Sequence, residues 1–184
     1  MKIEEICKKV LVSEEEIQNK CRELGKRISE DYKDKEVTMI GLLNGCNPFF
    51  SDLIKRVDLL LDLDYMRVSS YHGDIKSSGE VLILKDLEKS IRGKHVIVVD
   101  DIIDTGETLQ HIIKYLLLKG AKSVEACVLL NKAVERTISY MPKYIGFDIP
   151  KEFVVGYGLD YNEHYRNLPY IGAIRDELIS KKEK

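Results

Sequence analysis

The residues best suited to chemistry lie together in one short stretch, VIVVDDIIDTGET, at positions 96–108. The stretch predicts a hydrophobic strand that ends in two adjacent acids, Asp100 and Asp101. Four residues later the pair Thr105 and Gly106 is predicted to open a helix. Because ligands of open α/β sheets bind beyond the carboxyl ends of the strands, this junction is a candidate ligand site.

The start of the predicted helix is suited to binding a phosphate group. Amides at a helix N-terminus point outward and the helix dipole favours an anion there, while glycine lets the backbone approach closely. The candidate phosphate-binding residues are Asp104, Thr105, Gly106, Glu107 and Thr108. The stretch has no G-x-x-x-x-G-K pattern, so a nucleoside triphosphate is not the expected ligand.

Two carboxylates beside a phosphate site would repel the phosphate itself. Asp100 and Asp101 therefore suit hydroxyl groups or a magnesium ion. A ribose 5-phosphate has both features, a phosphate at one end and vicinal hydroxyls in the middle. The structural alternative is a strand that ends in solvated acids before an ordinary capped helix, in which Asp104 is the N-cap.

The elements around this stretch predict an α/β fold with a mainly parallel sheet and helices on both faces. Strands are predicted at 37–43, 59–68, 81–84, 95–99, 124–130, 144–147 and 153–157, and helices at 14–32, from Pro48, from Gly106 to Gly120 and at 174–179. The polar segment 69–80 has no periodicity. It is interpreted either as an active-site lid or as a mobile hairpin tip.

Composition narrows the class of protein. The 184 residues suit one domain, and a net charge of −2 gives no sign of a nucleic-acid-binding surface. No apolar run approaches the roughly 20 residues that span a membrane. Four scattered cysteines without metal-site spacing are expected to be reduced, buried thiols, which predicts a cytoplasmic protein.

The stretch 96–108 resembles the phosphoribosyl-pyrophosphate motif of the type I phosphoribosyltransferases. Further segments resemble the hypoxanthine-guanine branch of that family: Leu43-Asn44-Gly45, Ser69-Ser70-Tyr71, Lys132, FVVGYGLDY at 153–161 and YRNLPY at 165–170. The resemblance implies a type I phosphoribosyltransferase-like parallel sheet flanked by helices. It also implies one domain over residues 1–184, with a small C-terminal hood from about 131–184.

The family resemblance implies transfer of a phosphoribosyl group from phosphoribosyl pyrophosphate to N9 of hypoxanthine or guanine. In that reading Asp104 is the general base or acid at purine N7. Phe153 would stack on the base, Lys132 would donate to O6, and backbone groups near Val154 and the segment at Asp160 would complete the purine site.

The same resemblance assigns the sugar, metal and pyrophosphate contacts. Asp100, Asp101 and Asp160 would serve a Mg2+ ion, the implied cofactor. Pyrophosphate would meet Asn44, Gly45 and Arg166, in a first loop where the family often has an unusual peptide geometry. Many members carry Lys or Arg at the position of Asn44, and some carry Glu at that of Asp100. Ser70 and Tyr71 would belong to a loop that closes during catalysis and excludes water.

Three other readings remain at this stage. Lys132 argues against adenine, but it does not separate hypoxanthine, guanine and xanthine, so a xanthine-preferring enzyme is possible. A regulator that senses phosphoribosyl pyrophosphate and binds nucleic acid would need a basic face. A generic nucleotide binder explains the sheet but not the segment 153–161. Family members are usually dimers or tetramers, which implies a homo-oligomer with small-molecule substrates and neither a nucleic-acid nor a membrane partner.

Overall fold

A computed structural model describes residues 3–70, 81–132 and 138–179 of the chain. The strands are β1 (Cys7–Val12), β2 (Val37–Leu43), β3 (Leu61–Ser70), β4 (Val81–Lys85), β5 (His95–Ile103), β6 (Ser123–Asn131), β7 (Tyr144–Asp148), β8 (Val154–Val155) and β9 (Ile171–Ile174). The helices are α1 (Ile3–Ile6), α2 (Glu14–Asp31), α3 (Asn47–Ile54), α4 (Glu107–Leu118) and α5 (Asp176–Ile179). Among the described helices none is both long and apolar enough to cross a membrane.

Six strands form the central sheet in the order β4-β3-β2-β5-β6-β7. Every neighbouring pair is parallel except β3 and β4. Strands β2 and β5 are neighbours in the middle of the sheet. The strand that follows β2 in the chain, β3, lies towards one edge of the sheet, and the strand that follows β5, β6, lies towards the other edge. The carboxyl ends of β2 and β5 thus meet at a topological switch point, where α/β sheets bind ligands. The predicted fold class is confirmed.

Helices cover both faces of this sheet, as predicted. The buried face of α2, which includes Ile17 and Leu24, joins Phe49 and Phe50 of α3 in one hydrophobic cluster. Helix α4 buries its own apolar side against the other face. Helix α2 begins with a capping box, in which the Ser13 side chain accepts from the amide of the third helical residue.

The structure differs from the sequence prediction at several strand ends. Strand β5 runs four residues past the predicted end, because its pairing with β6 continues to the pair Ile103 and Asn131. Asp100 and Asp101 are therefore strand residues. Strand β3 continues to Ser70, and the predicted strand at 153–157 shortens to two residues. Ile174 ends a strand that the sequence analysis did not assign.

A second, three-stranded sheet forms the hood, in the order β1-β9-β8. Its outer strand β1 is also one that the sequence analysis did not assign. The segment is polar, with Lys8 and Lys9 in its middle, so it carries no clear strand periodicity. It is a strand because it pairs antiparallel with β9, about 160 residues away along the chain.

Candidate active site

A cavity of about 220 Å³ lies between the carboxyl edge of the central sheet and the hood. It is lined by Asp101, Ile102, Asp104, Lys132, Glu152, Phe153, Val154, Leu159 and Asp160. Six of these nine were predicted from the sequence as site residues. The fold thus brings the acidic stretch after β5 together with the base-binding candidates of the hood.

Asp104 and Lys132 face each other because of strand register. The pairing of Ile103 with Asn131 ends both strands at the same level, and the Lys132 amide donates to the Ile103 carbonyl at 3.0 Å. The Lys132 Nζ lies 3.7 Å from Asp104 Oδ1. Asp104 Oδ1 is inaccessible to solvent, and no hydrogen-bond donor among the described residues reaches it. A buried acceptor without a donor is costly, which suits a site that receives a ligand.

Asp100 and Asp101 carry carboxyl groups with raised pKa values. Burial is the main cause for both, and the neighbouring Asp101 carboxylate raises the pKa of Asp100 further. Each carboxylate accepts one backbone hydrogen bond, Asp100 Oδ1 from the Asp101 amide at 3.0 Å and Asp101 Oδ1 from the Ile102 amide at 2.8 Å. Adjacent carboxylates of this kind gain from a cation or from hydroxyl donors.

Helix α4 begins at Glu107, and Gly106 is its N-cap with φ of 87°. The alternative in which Asp104 caps the helix is therefore wrong, and the Asp104 side chain is available to the cavity. Thr105 Oγ1 accepts a long hydrogen bond of 3.4 Å from the Glu107 amide, and Thr108 lies in the first helical turn. A glycine cap leaves this positive helix end open to an anion.

The first loop, which follows β2, lies directly against the acidic stretch. Its peptide bond between Leu43 and Asn44 is cis, which agrees with the unusual geometry that the resemblance implied. A Cβ atom on Gly45 would overlap the Asp101 carboxylate. Only glycine therefore lets the loop approach β5 this closely.

Arg166 contacts the same region from the hood. Its Nη2 lies 2.9 Å from Asp160 Oδ1, and its Nη1 donates to the Gly158 carbonyl at 2.7 Å. The predicted pyrophosphate-binding arginine and the predicted metal-site aspartate are thus an ion pair. The structure brings both beside the cavity.

Phe153 presents an exposed ring to the cavity. The residue is 47% exposed, which is unusual for a large apolar group and argues against an ordinary core position. Tyr161 packs edge-on against it with ring centroids 5.4 Å apart. Val154 follows in β8 and pairs with Ala173 of β9, so the hood sheet fixes the backbone at this end of the cavity.

Comparisons with known proteins agree on one family. The phosphoribosyl transferase domain family matches residues 12–162. A hypoxanthine-guanine phosphoribosyltransferase of Staphylococcus epidermidis is 52% identical over 174 residues, which cover 95% of this chain and 97% of that protein. The chain belongs to the hypoxanthine-guanine phosphoribosyltransferase family.

Solved structures of this family superimpose closely on the chain. A crystal structure of a hypoxanthine phosphoribosyltransferase from Staphylococcus aureus aligns with a TM-score of 0.91 at 50% identity, covering 95% of both chains. A Trypanosoma cruzi hypoxanthine phosphoribosyl transferase aligns with a TM-score of 0.92 at 34% identity, covering 97% of both. The fold is therefore shared with this phosphoribosyltransferase family over nearly the whole chain.

Three residues of the cavity wall were missed by the sequence analysis. Ile102 and Leu159 lie inside segments that already carried the family resemblance, but neither residue was assigned a role. Glu152 precedes Phe153 and is held by Lys9 at 2.6 Å and Lys8 at 3.5 Å, which lower its pKa. Its cation partners come from β1, which the sequence analysis had not assigned, so no local pattern could have indicated this position.

The predicted closing loop is described only at its start. Ser70 is the last residue of β3 rather than part of a loop. Tyr71 and the rest of 71–80 lie outside the described residues.

Proposed function

We propose that this member of the hypoxanthine-guanine phosphoribosyltransferase family transfers the 5-phosphoribosyl group of phosphoribosyl pyrophosphate to N9 of hypoxanthine or guanine. The products are IMP or GMP and pyrophosphate, a purine salvage reaction. One observation carries the assignment of roles. Asp104 Oδ1 is buried, receives no hydrogen bond from the described residues and lies 3.7 Å from Lys132 Nζ inside the cavity.

The base would bind between the sheet edge and the hood. Lys132 would donate to the O6 atom, and an ammonium group can donate but not accept, so adenine with its 6-amino group is disfavoured. The rings of the purine would lie against the apolar surfaces of Phe153 and Ile102, with Leu159 at the cavity wall. Backbone groups at Val154 would complete the contact.

The reaction forms the bond from N9 to C1 of the ribose and breaks the bond from C1 to the pyrophosphate oxygen. The purine loses one proton in this exchange, and Asp104 would hold that proton at N7 as N9 attacks. The transition state would resemble an oxocarbenium ion, so the site mainly positions the two reactants. The first turn of α4, from Thr105 to Thr108, would bind the 5-phosphate.

Asp100, Asp101 and Asp160 would meet the ribose hydroxyls and a Mg2+ ion. The donor set fits this ion, because magnesium usually binds to one or two carboxylates together with substrate oxygens and water. The bound ion would neutralise charge on the pyrophosphate, which Asn44, Gly45 and Arg166 would also contact.

We further propose a homo-oligomer, a dimer or a tetramer. Leu63 of β3 and Leu82 and Leu84 of β4 are 40%, 56% and 53% exposed at one end of the sheet. Strand alternation places the three on the same face, and exposed apolar groups of this kind often lie in interfaces. Analytical ultracentrifugation tests the proposal, since a monomer at micromolar concentration would contradict it.

The four buried free cysteines support a reducing, cytoplasmic location.

The deciding experiment is steady-state activity with phosphoribosyl pyrophosphate, magnesium and each of hypoxanthine, guanine, xanthine and adenine. We expect turnover of hypoxanthine or guanine, and little of adenine. Turnover of xanthine alone would support a xanthine-preferring enzyme instead. Binding of phosphoribosyl pyrophosphate without turnover of any base, together with nucleic-acid binding at moderate salt, would favour the regulator.

A further inference from the structure

The hood contacts the first loop through a short turn with unusual backbone angles. Tyr157 has φ of 49° between two glycines, Gly156 and Gly158, that both have φ of 100°. Gly158 lies so close to the Gly45 carbonyl that a Cβ atom there would overlap it. A residue other than glycine rarely adopts the conformation of Tyr157 unless its surroundings impose it.

The Tyr157 side chain supplies such a constraint. It is 6% exposed, and its hydroxyl donates to Asp52 Oδ2 at 2.7 Å. Asp52 lies in α3, the helix that begins where the first loop ends. The same hydroxyl lies 3.4 Å from the Pro48 carbonyl in the first turn of that helix. The hydroxyl therefore ties the hood turn to the helix that carries the loop.

The Asp52 carboxylate accepts further hydrogen bonds, and they keep it ionised. Its Oδ2 also accepts from Gln18 Nε2 of α2 at 2.6 Å, and its Oδ1 from Lys55 Nζ at 2.7 Å. Burial alone would raise the pKa of Asp52, but the hydrogen bonds from Lys55, Tyr157 and Gln18 outweigh burial and lower it. The acceptor is thus an anion near neutral pH, and hydrogen bonds to charged groups are the stronger kind.

The other side of the turn sets the position of Arg166. The Gly158 amide donates to the Arg166 carbonyl at 2.9 Å, and the Gly158 carbonyl accepts from Arg166 Nη1 at 2.7 Å. The Tyr157 amide donates to the Leu168 carbonyl at 2.8 Å. One turn thus touches the first loop on one side and orients the guanidinium on the other.

We propose that Tyr157 is a positioning residue for the pyrophosphate half of the active site. Its hydroxyl bond to Asp52 fixes the separation between the Asn44-Gly45 backbone and Arg166, the two groups assigned to pyrophosphate. This inference rests on the proposed function. Tyr157 does not line the cavity next to the base, so its effect is confined to phosphoribosyl pyrophosphate and to pyrophosphate.

The test compares Tyr157→Phe with a matched variant, Tyr144→Phe. Tyr144 is a buried tyrosine whose hydroxyl donates to Asp31 at 2.6 Å, and Tyr144 does not line the cavity. Both changes remove one hydroxyl bonded to a carboxylate. We expect Tyr157→Phe to raise KM for phosphoribosyl pyrophosphate about tenfold, because the loss of a hydrogen bond to a charged group typically has an effect of about this size. KM for hypoxanthine should change less than about twofold. Tyr144→Phe should lower the melting temperature and leave both KM values unchanged.

A second pair of variants tests the partner. Asp52→Asn keeps an oxygen that can accept from Tyr157 but loses the negative charge, so it should raise KM for phosphoribosyl pyrophosphate less than Asp52→Ala does. Asp52→Ala removes the acceptor and should raise this KM as Tyr157→Phe does. The double variant Tyr157→Phe/Asp52→Ala should be no worse than either single one. If Tyr157→Phe does not fold, the Asp52 pair still measures the coupling.

A direct binding measurement tests this inference independently of the proposed function. Calorimetric titration of phosphoribosyl pyrophosphate with magnesium needs no turnover, so it reads the effect of Tyr157→Phe even if no purine is a substrate. Turnover by the wild type with unchanged affinity in Tyr157→Phe overturns the positioning role alone. An equal rise in KM for both substrates would also overturn it, because general loosening of the hood would then explain the effect.

Discussion

Lys132 Nζ and Asp104 Oδ1 lie 3.7 Å apart at the ends of two adjacent parallel strands. The two groups are fixed by backbone pairing rather than by a flexible loop, so their separation is a property of the sheet. In the proposed complex they would meet O6 and N7, which are neighbouring atoms on one edge of the purine. The site would thereby recognise the base and accept its proton on the same edge of the purine.

Asp104→Asn should lower kcat while the protein still binds both substrates. The amide keeps the size of the carboxylate but cannot take the proton from the purine. The expected loss is about a hundredfold to ten-thousandfold, the range for one general acid or base. Steady-state kinetics with hypoxanthine measures it, and Asp58→Asn, at an exposed position, is the control. A kcat within about threefold of the wild type would exclude a proton-transfer role.

Lys132→Ala should lower kcat/KM for hypoxanthine and should not increase the stability of the fold. Loss of a charged donor to a buried acceptor costs about 1.5–3 kcal/mol, or roughly ten- to a hundredfold in kcat/KM. The relative preference against adenine should shrink at the same time. Lys114→Ala, at an exposed position on α4, should have neither effect. Unchanged discrimination between hypoxanthine and adenine in Lys132→Ala would refute the O6 contact.

Gly45→Ala should damage the use of phosphoribosyl pyrophosphate. The added methyl group would overlap the Asp101 carboxylate, so the loop and the acid must move apart. A displacement of about 1 Å in a reacting assembly can cost up to about a hundredfold in kcat/KM. Gly93→Ala is the control, because its φ of 77° strains an alanine but nothing lies within 4 Å of the new atom. The control should lose thermal stability and keep its kinetics; a similar kinetic loss in both would point to general unfolding.

Asp100→Asn should stabilise the ligand-free protein. Burial and the Asp101 carboxylate raise the pKa of Asp100 above its ordinary value of 3.8. The folded state therefore holds this proton more tightly than the unfolded state. The resulting stability is fully present below pH 3.8 and is lost as the pH rises through the folded pKa. The amide removes this loss, so its advantage in melting temperature over the wild type should grow from acidic to neutral pH.

Thermal melts with and without phosphoribosyl pyrophosphate and magnesium check this prediction. The ligands should stabilise the wild type more than Asp100→Asn, because the variant has lost one of the acids assigned to them. A variant that is less stable than the wild type at neutral pH would contradict the argument.

The sequence predicted those parts of the site that are local in the chain. Hydrophobic runs predicted the central strands, and the helix predicted at 14–32 corresponds to α2. The stretch at Asp100 and Asp101 was recognised because a short segment holds all of its chemistry. These features depend on neighbours within a few residues, so periodicity and capping rules detect them.

The features that the sequence did not predict depend on distant partners. Strand β1 has a polar pattern and exists because β9 pairs with it. Glu152 enters the cavity wall because lysines of that same strand hold it. The exact end of β5 followed from its ladder with β6. No local rule specifies any of these contacts.

The pairing of β1 with β9 also bears on how the chain folds. The central sheet can form from residues up to β7, because all six of its strands lie between Val37 and Asp148. The hood sheet needs one strand near the beginning of the chain and two after residue 153. During synthesis, β1 must therefore wait, unpaired, until β9 has left the ribosome. The half of the active site assigned to the sugar phosphate can thus be in place before the half assigned to the purine exists.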